Sequence, residues 1–136
     1  MTAKQYLRSI RRIDKQINAM NNSISRLWEQ ATSTAQQIGG DGGRSSEVTR
    51  RPEAYAERVA DLTAQRDALI RQKAEAIDLI NRVDHHIYAA LLLEYYCNGN
   101  TWEETADAIG YSYYHTVHRI HPAALAAFQH VIECTY

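Results

Sequence analysis

The placement of glycine and proline constrains this chain of 136 residues more than any other feature. Its 6 Gly are Gly39, Gly40, Gly42, Gly43, Gly99 and Gly110, and its 2 Pro are Pro52 and Pro122. Residues 1–38 and 53–98 contain neither, so the residues that interrupt helices most strongly are missing from two long stretches. A single Phe and few β-branched runs argue against a sheet. The apolar positions then say what kind of helix to expect. Ile10, Ile13, Ile17, Met20, Ile24, Leu27 and Ala31 return at alternating steps of three and four. That narrow stripe is a coiled-coil seam rather than a broad globular face. Thr2, with Gln5 three residues on, can close a capping box at the start. At ~1.5 Å per residue the helix is roughly 50 Å long.

Residues 39–52, GGDGGRSSEVTRRP, break the pattern and read as a flexible connection. Pro52 suits the first turn of a second helix, where its missing N–H costs nothing. Tyr55, Val59, Leu62, Leu69, Ala76 and Ile80 continue the three-four spacing, with Arg66 and Lys73 interrupting the stripe. Helix, connection and helix predict a long antiparallel, coiled-coil-like hairpin over residues 1–81. Two helices bury little, so the seam predicts a second copy: a homodimer built as a four-helix bundle, or a higher homo-oligomer.

Residues 82–136 read as a second domain. Asp84 can cap a helix carrying Ile87, Leu91, Leu92, Tyr95 and Tyr96, which Asn98-Gly99 ends. The stretch TWEETADAIGYSYYHTVHRIHPAAL, residues 101–125, reads as two short helices and a tight turn. Thr101 and Glu104 form a capping box. Trp102, Thr105, Ala106 and Ile109 share a face, and Gly110 supplies the left-handed stop. Ser112 caps a second helix whose inner side is Val117, Ile120 and Ala124, with Tyr113 beside them. Pro122 predicts a kink or an end at His121. This is the helix-turn-helix pattern, whose second helix lies in the DNA major groove. Its outward residues, Tyr113, Tyr114, His115, His118 and Arg119, are the candidate DNA contacts. Arg119 suits bidentate binding of guanine or phosphate. Thr101, Ser112, Arg11, Arg12, Arg50 and Arg51 are candidate phosphate contacts.

Charge is divided unevenly. Residues 1–80 hold 13 Lys and Arg against 10 Asp and Glu, while residues 81–136 hold 2 against 6. A net −4 on the DNA-reading half opposes phosphate binding. Protonation of His115, His118 and His121 beside phosphate would offset it.

Other classes find little support. No apolar run approaches the roughly 20 residues of a membrane span. The polar start reads as having no secretory signal, which makes Cys97 and Cys134 free thiols and the expected location cytoplasmic. His115, His118 and His121, spaced by three, cannot all face one metal from one helix. No zinc signature, phosphate loop or nucleophile elbow appears, so neither a metal, a cofactor nor an enzymatic activity is expected.

The segments TAKQYLRSIRRID and TWEETADAIGYSYYHTVHRIHPAAL resemble small phage and prophage proteins of Gram-positive bacteria that carry a domain like region 4 of sigma factors. ArpU-like and RinA-like late transcription regulators belong to this group. The resemblance rests on Trp102-Glu103-Glu104, Gly110-Tyr111-Ser112 and the run from Arg119-Ile120-His121 to Ala124-Leu125. It implies an all-α, DNA-binding regulator of phage genes acting on double-stranded DNA in a bacterial host, with RNA polymerase as a further partner. Two departures stand out. One residue is added between Ser112 and Val117, which rotates the remainder of the helix by about 100° unless the turn absorbs it. Positions often basic in such helices are Tyr113, Tyr114, His115 and His118 here. Two other classes fit the same architecture: a packaging adaptor like small terminase subunits, and a polymerase-binding protein that does not read DNA.

Overall fold

The computed structural model describes residues 1–38 and 52–136. Among them every regular element is helical. Helix α1 spans Ala3–Ile38 and α2 spans Pro52–Ile80. Helix α3, His86–Leu92, runs on into a widened π turn, Leu93–Cys97. Helix α4 spans Trp102–Ile109. Three successive segments, Tyr113–His115, the π turn Thr116–Ile120 and His121–Thr135, continue without a break as α5. The flexible connection expected after residue 38 lies outside the described residues, as do Arg50 and Arg51.

The chain divides into two compact units, and they do not follow the expected cut between residues 81 and 82. The first unit joins Met1–Asp14 to Arg71–Tyr136, and the second is Lys15–Ile70. The physical reason is that the start of α1 belongs to the core of the C-terminal half. The Ala3 N–H donates to Gln129 Oε1 at 2.7 Å. Tyr6 stacks on Phe128 with ring centroids 5.9 Å apart. Leu7, Ile10 and Ile13 are buried together with Leu79, Ile80, Leu91, Leu92, Ala124 and Phe128. The Thr2–Gln5 box closes as expected, with Thr2 N–H to Gln5 Oε1 at 3.0 Å and Gln5 N–H to Thr2 Oγ1 at 3.2 Å. Lys73, expected to weaken the stripe, instead reaches Asp14 at 2.6 Å.

The second unit has a much thinner interior. Among its described residues only Ile24 and Val59 are buried hydrophobics. Ile17, Met20, Leu27, Tyr55, Leu62 and Leu69 are half-buried, so the stripe marks the inner side without closing it. Trp28 and Ile70 are 56% and 45% exposed. Arg66 donates to Asn21 Oδ1 at 3.0 Å, so its place on the stripe also has a polar partner.

Two local expectations change. His85, not Asp84, stands ahead of α3, and its side chain makes no capping bond. Helix α5 neither ends nor breaks at His121. The His121 N–H donates to Thr116 O, five residues back. The widened turn moves the preceding carbonyls away from where the Pro122 ring would meet them in an α-helix, so the helix passes through the proline. Among the described residues no helix is long and apolar enough to cross a membrane.

Candidate nucleic-acid interface

The site is assembled from local signals that each have a structural counterpart. Thr101 Oγ1 accepts from the Glu104 N–H at 3.1 Å, and the Thr101 N–H donates to Glu104 Oε1 at 3.0 Å. These two bonds satisfy donors that the first turn of α4 leaves unpaired. They also hold the Glu104 carboxyl below its ordinary pKa, because the Thr101 backbone bond favours the charged form. Gly110 ends α4 at φ 81°, a left-handed backbone that its missing Cβ permits. Ser112 then accepts from the His115 N–H at 3.1 Å and starts α5.

Behind this turn lies an aromatic cluster that fixes α3, α4 and α5 together. Tyr95 stacks on Trp102 at 3.7 Å, and Trp102 meets the His121 ring at 4.6 Å. Tyr96 Oη and His121 Nε2 share a hydrogen bond of 2.7 Å. The Arg11 guanidinium covers the other side, 4.0 Å from the Tyr95 ring centroid. It donates to Tyr95 O and, at 3.0 Å, to Asn100 O. Arg11, a candidate phosphate contact in the sequence, therefore secures the approach to α4 from within the protein. Arg12, its neighbour, is exposed.

His121 is turned into this cluster. Burial, followed by the fields of Lys4 and Arg8, lowers its pKa from 6.5 to about 4. It stays neutral near pH 7, so the compensating charge expected at His121 is lost. Burial likewise raises the Tyr96 hydroxyl to about 12.

The outward side of α5 is open. Tyr113, Tyr114, His115, His118 and Arg119 are all exposed, Tyr114 to 64%. Tyr111 stacks on His115 at 5.4 Å, and Tyr114 lies 4.5 Å from His118. These pairs hold flat, polar-edged rings side by side, with Arg119 following on the same helix. Such rings can donate to phosphate or pack on thymine methyls. Thr101 and Ser112 are also exposed. Their oxygens accept the capping bonds, which leaves each hydroxyl proton available to an outside acceptor.

The inner side of α5 differs from expectation at two positions. Thr116 is fully buried, whereas Val117, expected on the inner side, is only half-buried. Tyr113, set beside that inner side by spacing and also among the outward candidates, is 48% exposed. A π ring holds one residue more than an α ring, so the Thr116–Ile120 turn changes which side chains of α5 face inward. The hydroxyls of Thr105 and Thr116 are buried without a hydrogen-bond partner among the described residues. They stand on α4 and on the widened turn packed against it. Sequence reasoning also missed Tyr96, His121 and Arg11 as the frame of the site. The only sequence signal for it is the density of aromatic residues from Tyr95 to Trp102.

No family model, curated protein or solved structure matches the chain.

Proposed function

We propose that the chain is a sequence-specific DNA-binding regulator of phage or prophage type. In this reading α4 and α5 form the helix-turn-helix, and the outward side of α5 enters the major groove. One observation carries the reading: the second helix after a capped, glycine-turned first helix presents Tyr114, His115, His118 and Arg119 to solvent. Helices α1 and α2 form the antiparallel hairpin, and the thin interior of residues 15–70 supports pairing with a second copy. Two related copies then place their recognition helices on inverted half-sites about one helical turn, or a multiple, apart.

A mobility shift with duplex DNA from upstream of the gene tests this reading. Binding should fall steeply with salt, as phosphate contact requires. Arg119→Ala should weaken binding while leaving the helical content and melting of the protein unchanged. Equal affinity for the two proteins would remove Arg119 from the interface. The acidity of residues 81–136 favours a second reading, a polymerase-binding protein that does not read DNA. Absence of salt-dependent binding to any duplex, with retained capture of polymerase, would select it. Solution mass separates the packaging adaptor, for which a ring of many copies is expected, from the dimeric regulator.

A further inference from the structure

The first unit contains eight Lys and Arg side chains: Lys4, Arg8, Arg11, Arg12, Arg71, Lys73, Arg82 and Arg119. Three are engaged within the protein. Arg11 holds Asn100, Lys73 reaches Asp14, and Arg82 donates to Thr135 Oγ1 at 3.1 Å. Among the described residues the other five have no hydrogen-bond or ion-pair partner. Three of those five are Lys4, Arg8 and Arg12, all exposed and spaced by four along α1. Side chains four apart lie above one another on the same helix face. They therefore form one cationic stripe, about 12 Å from the first Cα to the last at 1.5 Å rise per residue.

The position of the stripe is fixed by its uncharged neighbours. Ala3, next to Lys4, is bonded to Gln129 of α5. Tyr6 stacks on Phe128 of the same helix. Arg11, next to Arg12, is bonded to the carbonyl of Asn100, one residue before the cap of α4. The stripe thus starts beside the C-terminal half of α5, at Phe128 and Gln129, and ends beside the N-terminus of α4. Successive phosphates of one strand rise about 3.4 Å along the axis but lie about 7 Å apart along the winding backbone, so a stripe of about 12 Å spans two to three phosphates.

We infer that Lys4, Arg8 and Arg12 are a second contact surface for duplex DNA, gripping the phosphate backbone alongside the groove that receives α5. This inference rests on the DNA-binding reading above. The stripe supplies affinity without sequence preference, whereas Arg119 and its aromatic neighbours supply the discrimination. It also gives the start of α1 a role separate from pairing of the hairpin.

Fluorescence anisotropy with a mixed-sequence duplex about three helical turns long tests the stripe, using the full chain over about 50–200 mM salt. The variant Lys4→Gln/Arg8→Gln/Arg12→Gln should lower the slope of log affinity against log salt by about 2.7, at about 0.9 per lost phosphate contact. The loss should be the same on every duplex sequence. The three single variants should each lower the slope by about 0.9, which keeps the test decisive if the triple variant folds poorly by circular dichroism. Wild-type slope and affinity in these variants, with weakened binding by Arg119→Ala, would refute the stripe and leave the DNA reader standing. Failure of the wild type to bind any duplex at the lowest salt would overturn both.

Discussion

The sharpest test of the architecture is acid, acting through His121. Its ring sits between Tyr96 and Trp102, and its pKa falls from 6.5 to about 4, chiefly through burial and then through Lys4 and Arg8. The unfolded chain takes up this proton near pH 6.5, whereas the folded chain takes it up only near pH 4. Between those values the unfolded state binds more protons, so stability is complete above pH 6.5 and is lost as pH falls toward 4. For a fully enclosed ring, a shift of this size lowers stability by about 2 kcal/mol between pH 7.5 and 5.0. The ring keeps some contact with solvent, which screens the effect, so about 1 kcal/mol is the working expectation. Urea denaturation of the wild type and of His121→Gln at both pH values isolates this contribution. Glutamine keeps a polar group opposite Tyr96 but does not titrate. The variant should lose about 1 kcal/mol less than the wild type on acidification. Equal losses would show that His121 is not held neutral in the folded state, and the aromatic frame drawn around it would be wrong.

Three further measurements probe other parts of the frame. Gly110→Ala meets no neighbouring atom but must hold φ 81°, so backbone strain alone should cost about 1–2 kcal/mol in urea denaturation; an unchanged midpoint would refute the left-handed turn. Phe128→Ala removes a fully buried ring that also stacks on Tyr6, and should cost about 3–5 kcal/mol; a loss below about 1 kcal/mol would place Phe128 outside a packed core. Cys97 is buried and its thiol is raised to about 11 by that burial, while Cys134 is exposed. A disulfide reagent should therefore modify one thiol quickly and the second only after denaturation, and two equally fast reactions would contradict the burial of Cys97.

Short-range physics decides the features that are legible in the sequence. The boxes at Thr2–Gln5 and Thr101–Glu104, the stop at Gly110 and the cap at Ser112 involve residues at most four apart. Their geometry follows from side-chain reach alone, so spacing identifies them. The stripe on α1 is legible for a similar reason, since helical periodicity places Ile10, Ile13 and Ile24 inward whatever they meet. The partners they meet are not legible. The contacts of Ala3 with Gln129 and of Arg11 with Asn100 join residues far apart in sequence, and no local pattern encodes them. The inward turn of His121 and Thr116 is hidden by the π segment. One added residue in the hydrogen-bonded ring leaves propensities unchanged but alters which side chain points inside. The partners of Arg66 and Lys73 escape detection because a charge on a seam reads as a defect until its counterpart across the seam is known.

That long-range packing also alters how the charge of the C-terminal half should be weighed. Residues 81–136 alone carry net −4, but they form one compact unit with Met1–Asp14 and the end of α2. The start of α1 brings Lys4, Arg8, Arg11 and Arg12 into the same unit, which then holds 8 Lys and Arg against 9 Asp and Glu. Several of the acids are bound locally: Glu104 closes the α4 cap, Glu94 accepts from Asn100, and Glu75 accepts from Tyr136. Of the five cations without a partner among the described residues, three line one face of α1, and the others are Arg71 on α2 and Arg119 on α5. At physiological salt charges act over about 8 Å, so an approaching phosphate responds to the nearest side chains rather than to the sum over the chain. Near-neutral composition and a locally positive surface are therefore compatible. The local contribution is measurable, because each side chain that neutralises a phosphate adds about 0.9 to the salt slope of binding.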